Sequence, residues 1–181
     1  MDAPPNPDHA WRRVLLVGLP GAGKSTVGRE LAAALGWAFA DVDAELVRRT
    51  GLSVAGYFEQ RGEPAFRAEE ARLTAELCSR DRLVLAPGGG WIARPGSFES
   101  LPPATAVVWL QVSPEEAVRR LSGSDELRPL LQTDDPVATA AALLAARRPR
   151  YGLAHLALVV DGRTSADLTR DIVAWLTTST S

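Results

Sequence analysis

Short, wholly apolar runs alternate along this chain with longer stretches in which apolar residues recur at helical spacing. Residues 14–17, 37–40, 83–86, 105–110 and 156–160 are the short runs. Runs of this length next to glycine or proline predict buried strands. Residues 25–35 place Val27, Leu31, Ala34 and Leu35 on one helical face and stop at Gly36, a residue suited to ending a helix. Further helices are predicted over 44–50, stopped by Gly51, and over 63–80, the Ala-rich 137–147, and 166–176. Ser113-Pro114-Glu115-Glu116 opens another, with serine as cap, proline at the first helical position and two acids facing the positive end of the helix dipole. Five apolar strands alternating with helices predict a parallel sheet covered on both faces, an α/β three-layer domain. Residues 1–10 carry three prolines and no periodicity and are expected to be a mobile tail. A single domain then spans 11–177, and the polar end 178–181 is expected to fray.

Composition narrows this picture. With 181 residues the chain makes one domain with one core, at roughly 150 residues per domain. A hydrophobic fraction of 46% and a charged fraction of 23% exclude wholesale disorder. No apolar run approaches the roughly 18 residues of a membrane span, so no membrane partner is expected. The net charge of −2 argues against a general nucleic-acid binder. A lone Cys78 leaves no disulfide framework and fits a reducing, cytoplasmic compartment. One count is more pointed: 19 of the 20 cationic residues are arginine, and the only lysine is Lys24.

That lysine sits in Gly18-Leu19-Pro20-Gly21-Ala22-Gly23-Lys24-Ser25-Thr26, after the first strand and at the start of the first helix. The segment fits G-x-x-x-x-G-K-[ST], a phosphate-binding loop. Glycines let successive backbone N–H groups turn towards a phosphate, and the helix start adds its unpaired amides and dipole. Lys24 supplies a compact charge for the β- and γ-phosphates, and the Ser25 hydroxyl can ligate Mg²⁺. A guanine-reading N-K-x-D segment would need a second lysine. A nucleoside or small-metabolite kinase on a P-loop fold remains.

Several other groups carry chemistry with alternatives attached. Asp41 and Asp43 close the second strand, whose end faces the ligand crevice, with one expected towards the nucleotide and the other away. An acid there can hold Mg²⁺ through water, or take a proton from an attacking hydroxyl. Asp43 could equally cap the helix over 44–50. The strand over 83–86 ends in Ala86-Pro87, with no acid, which leaves the metal role to the acids closing the second strand. Arg67 and Glu70 are neighbours on one helix and make at least an i,i+3 ion pair. Phe58 and Phe66 fit either core or pocket. Gly88-Gly89-Gly90 implies a close approach to the main chain, or simply a tight strand exit. Residues 122–133 have the length and composition of a lid, with Arg128 able to swing in. Arg120 suits stacking on adenine or compensation of a helix dipole, and Arg163 is a weaker candidate of the same kind. Trp91 is a candidate pocket wall. His9 and His155 show no ligand spacing.

Asp41-Val42-Asp43, the segment from Phe58 to Arg67, Gly88-Gly89-Gly90, Arg128-Pro129-Leu130-Leu131 and Arg147-Arg148-Pro149-Arg150-Tyr151 follow the phosphate loop in that order. In this order and spacing the chain resembles the shikimate kinase family over about 14–176. The resemblance implies a nucleoside-monophosphate-kinase-like fold and transfer of the γ-phosphoryl group of ATP to the 3-hydroxyl of shikimate, on the chorismate route to aromatic amino acids. It implies a nucleotide site of Gly21, Ala22, Gly23, Lys24, Ser25 and Thr26, with Arg120, Arg128 and Arg163, and Mg²⁺ at Ser25 and Asp41. It places shikimate among Asp43, Phe58, Phe66, Arg67, Gly88, Gly89, Gly90 and Arg147, with Arg67 and Arg147 on the carboxylate and Glu70 holding Arg67. Lys24, Asp43 and Arg128 become the catalytic set. The expected partners are the two small molecules, ATP and shikimate, and the expected state is a monomer. A related kinase for another hydroxy acid, such as gluconate, and a nucleotide-binding regulator without turnover are the rival readings.

Overall fold

Arg13–Val17 (β1) is the middle strand of a sheet in which every pairing is parallel, ordered β2-β3-β1-β4-β5. The other strands are Ala38–Asp41 (β2), Leu83–Ala86 (β3), Thr105–Gln111 (β4) and Leu156–Val159 (β5). The helices are Lys24–Leu35 (α1), Val42–Thr50 (α2), Val54–Cys78 (α3), Pro114–Ser122 (α4), Pro136–Tyr151 (α5) and Ser165–Thr178 (α6), with a 3₁₀ turn at Trp91–Ala93. The computed structural model describes residues 11–123 and 133–178, so the expected tail, most of the expected lid and the last three residues lie outside it.

Strand alternation builds two cores. Val14 and Leu16 of β1 face the layer holding Leu31 of α1 and Leu168, Ile172 and Leu176 of α6. Leu15 and Val17 face the opposite layer, with Leu46 of α2, Leu73 and Leu77 of α3 and Tyr151 of α5. Each such leucine contributes roughly 1.5–3 kcal/mol by leaving water. Cover on both faces holds for β1, β3 and β4, but not for the whole sheet. The edge strands β2 and β5 are only partly buried, and Val159 is 56% exposed. An edge strand has one neighbour, so it can be apolar without being enclosed.

Four helices depart from their expected spans by two residues or more at one end or both. α3 starts at Val54, capped by Ser53, whose hydroxyl accepts from Gly56 N at 3.0 Å. It is two helical segments meeting at Gly62, where φ is 79° and ψ is 165°, and Pro64 restarts the second segment. α5 runs one turn beyond Arg147, through Pro149, to Tyr151, so Arg147 lies inside a helix rather than at its end. α6 includes Thr178: the Thr177 and Thr178 hydroxyls donate to the carbonyls of Ala174 and Trp175 and satisfy its last turn. Finally, α2 begins at Val42, so β2 passes directly into a helix.

β1 has β3 on one side and β4 on the other, while β2 lies beyond β3. The chain order therefore reverses at β1, and ligands of such sheets bind at the carboxyl ends around that point. The loop after β1, Asp41 at the end of β2 and the turn after β3 all reach this edge.

Candidate active site

The loop after β1 is tied together by its lysine. Lys24 Nζ donates to the carbonyls of Gly18 and Leu19, both at 3.0 Å. Gly23 takes the N-cap position of α1 with φ 86° and no side-chain cap, so the first amides of α1 are left for an anion. Arg120 of α4 stands beside this loop. Its Nε donates to Glu116 Oε1 at 2.6 Å and its Nη2 to the Val160 carbonyl at 3.2 Å. A Cβ on Gly23 would lie 3.7 Å from Arg120 Nη1. Arg163, expected near the nucleotide, has its guanidinium paired with Asp171 of α6 at 2.6 Å. Arg128 lies outside the described residues.

Residues two apart on a strand share a face, so alternation cannot separate the two aspartates; the start of α2 at Val42 does. Asp41 is the N-cap of α2: its Oδ1 accepts from the backbone N–H of Asp43 at 3.0 Å and of Ala44 at 3.3 Å. Its Oδ2 accepts from the Ser25 hydroxyl. Asp43 is therefore not the cap. It sits in the first turn of α2, and its carboxylate reaches the turn after β3, where a Cβ on Gly88 would meet Asp43 Oδ1 at 3.0 Å.

That turn, Gly88-Gly89-Gly90, is surrounded by acidic and basic side chains. A Cβ on Gly88 would fall 2.0 Å from Glu70 Oε1, and one on Gly90 would fall 2.3 Å from Arg67 Nη1. A side chain at either position would have to displace Glu70 or Arg67, because these groups pack directly on the main chain. Arg67 Nη1 donates to Glu70 Oε2 at 3.0 Å, and its Nη2 pairs with Glu63 Oε1 at 3.3 Å. Phe58 and Phe66 stack on each other at 4.3 Å, and the Arg67 guanidinium lies over both rings. Phe66 is a core residue, whereas Phe58 is partly buried. From the other side, Arg147 Nη1 donates to the Gly89 carbonyl at 2.6 Å. Gly89 also faces the phosphate loop: a Cβ there would stand 3.5 Å from both Arg147 Nη1 and Pro20 Cδ. Trp91, the next residue, is buried and lines a cleft with Thr74 and Cys78.

Glu70 is 2% exposed, and its Oε1 has no hydrogen-bond partner among the described residues. Burial pushes its carboxyl up from the usual range, and the Asp43 charge adds to this, while Arg67 and Arg147 pull the other way. Sequence reasoning missed Glu63 as the second acid on Arg67, although the i,i+4 spacing was legible. It also missed a structural role for His155, whose Nδ1 accepts from the Val107 N–H at 3.0 Å.

The arrangement can hold a triphosphate on the loop and a small anion on two arginines. A carboxylate, Asp43, lies beside the turn that separates them. Among the described residues no group of three or more His, Cys, Asp or Glu forms a metal cluster. The Ser25 hydroxyl and Asp41 carboxylate are instead a pair of hard oxygens, the donor type Mg²⁺ takes alongside phosphates and water.

Comparison with known proteins points one way. The shikimate kinase family model matches residues 20–177. A shikimate kinase of Pseudomonas entomophila is 44% identical over 163 residues, covering 90% of this chain and 94% of that protein. One from Synechococcus is 40% identical over 153 residues, covering 84% and 76%. The solved shikimate kinase of Acinetobacter baumannii in complex with shikimate superposes with a TM-score of 0.87 at 38% identity, covering 94% of this chain and 96% of that one.

Proposed function

The chain belongs to the shikimate kinase family, and from that membership we infer that it transfers the γ-phosphoryl group of ATP to the 3-hydroxyl of shikimate. The observation that carries this furthest is the convergence of Arg67 and Arg147 on the turn beside Asp43, next to the phosphate loop. Shikimate has one carboxylate and ring hydroxyls. Two planar forks suit the carboxylate, and charged hydrogen bonds of this kind contribute roughly 1.5–3 kcal/mol each. With the carboxylate held, one hydroxyl is directed at Asp43 and the γ-phosphate.

The chain's own groups then divide the work. Lys24 and the amides of Gly21, Ala22, Gly23, Ser25 and Thr26 hold the phosphates, with Arg120 beside them. Asp43 accepts the hydrogen bond of the 3-hydroxyl and takes its proton as the oxygen attacks the γ-phosphorus. The bond from that phosphorus to the bridging oxygen breaks, and ADP leaves with the electron pair. Arg128, from the segment over 122–133, offsets charge on the transferring group. Ser25 and Asp41 would hold Mg²⁺, which when bound neutralises charge on the β- and γ-phosphates. Phosphoryl transfer asks mainly for positioning and charge neutralisation, and these residues provide both.

A monomer acting on two small molecules, ATP and shikimate, is the state we propose. Among the described residues no helix is long and apolar enough to cross a membrane, and a cytoplasmic enzyme remains the proposal. Coupled measurement of ADP release tests the whole assignment. Release is expected to depend on shikimate and to be slow without it. Equal release without any acceptor, or release driven by gluconate and not by shikimate, would overturn it.

A further inference from the structure

Arg147 and Tyr151 lie four residues apart on α5 and therefore on one face of it. Tyr151 is fully buried and its ring stacks on Trp109 of β4 at 5.3 Å, so its position is set by packing. Its hydroxyl has no hydrogen-bond partner among the described residues. A phenylalanine would fill the same space without leaving a buried polar atom unsatisfied, so the hydroxyl calls for an explanation. Burial pushes its pKa up, and the nearby Arg147 cation works in the opposite sense without the geometry of a completed hydrogen bond.

We propose that the Tyr151 hydroxyl is a positioning group for Arg147, the acceptor that fixes the guanidinium when a substrate carboxylate occupies its outer edge. This rests on Arg147 being a carboxylate-binding residue. A guanidinium has five N–H donors. One donates to the Gly89 carbonyl, a bidentate carboxylate takes two more, and a buried hydroxyl on the protein side receives another. The two arginines are supported differently. Arg67 is backed by the carboxylates of Glu63 and Glu70, which offset its charge. A neutral hydroxyl orients Arg147 while leaving its charge whole for the substrate. An acid at the Tyr151 position would compete with shikimate for the same donors.

Tyr151→Phe removes only the oxygen. Shikimate affinity, read by tryptophan fluorescence, and the KM for shikimate are each expected to weaken by about fivefold, the scale of one hydrogen bond to a charged group. The KM for ATP should stay within twofold, and the melting temperature should hold or rise as an unsatisfied hydroxyl is removed. In an Arg147→Ala background the same substitution should change shikimate affinity by less than twofold, because the group it acts through is gone. An unchanged shikimate affinity in Tyr151→Phe overturns the proposal, as does an equal effect with and without Arg147. A lowered melting temperature with parallel losses for ATP and shikimate also overturns it, marking Tyr151 as packing. A parent enzyme that neither binds nor phosphorylates shikimate is a distinct result, which removes the substrate assignment and this inference with it.

Discussion

The Ser25 hydroxyl donates to Asp41 Oδ2 at 2.5 Å, joining the first turn of α1 to the cap of α2. One side chain thus serves two functions, because Asp41 Oδ1 accepts from two amides of α2 while Oδ2 faces the phosphate loop. The two functions can be separated. Asp41→Asn keeps an oxygen for the cap, so its melting temperature should fall by no more than a few degrees. Its Mg²⁺ requirement should rise by at least about tenfold, since a carboxylate charge is lost at a hard-cation site. Asp41→Ala should add a loss of about 0.5–2 kcal/mol in stability. An unchanged Mg²⁺ titration in Asp41→Asn would remove Asp41 from the metal site.

Asp43 carries no capping duty, so its chemistry can be tested cleanly. Asp43→Asn should leave stability unchanged or slightly improved, because one of the two carboxylates crowding Gly88 loses its charge. The single-turnover rate should fall by about 10²–10⁴, the usual contribution of a positioned base. Normal single-turnover kinetics in this variant would show that Asp43 is not the proton acceptor.

Gly90 tests the acceptor side without substituting any charged residue. A methyl group there collides with the Arg67 guanidinium at 2.3 Å and must displace it. Gly90→Ala should raise the KM for shikimate by about tenfold while that for ATP moves far less, as one charged hydrogen-bonded fork is misplaced. Equal changes in both constants would instead indicate a general distortion of the turn.

His155 sets a pH dependence of stability. Its Nδ1 accepts a hydrogen bond from Val107 N, and its ring packs between Trp11 and Phe98. Burial pushes its pKa below the ordinary histidine value. The folded state therefore binds this proton less readily than the unfolded chain. The contribution is complete above about pH 6.5 and is lost as pH falls through that value towards the lower folded one. Glu70, raised by burial, works in the opposite direction, since its folded form takes up a proton more readily. Melting curves from pH 7.5 to 5.5 should show a decline in the parent that is reduced in His155→Leu, whose stability starts lower. Identical slopes would exclude His155 as the titrating group.

Local order along the chain announced the phosphate loop, β3 at its observed ends, the Ser113 cap of α4 and the alternation of strand and helix. These depend on hydrogen bonds and side-chain spacings within about four residues, which a linear pattern records directly. The same reasoning put both aspartates at the end of the second strand and left a cap at Asp43 open as an alternative, because it could not see β2 turning into α2 at Asp41. Local pattern named Arg67, Arg147 and the three glycines, and only the family resemblance grouped them around one ligand. Arg147 meets Gly89 across 58 residues, and Ser25 meets Asp41 across 16. Such meetings follow from the strand order β2-β3-β1-β4-β5, which carries the ends of β1, β2 and β3 to one edge and lays α3 and α5 on the same face. Burial of Glu70 and Tyr151 is likewise a property of that packing. Neither residue type reveals in sequence that its oxygen will be enclosed beside an arginine, since desolvation is imposed by neighbours that only the folded chain assembles.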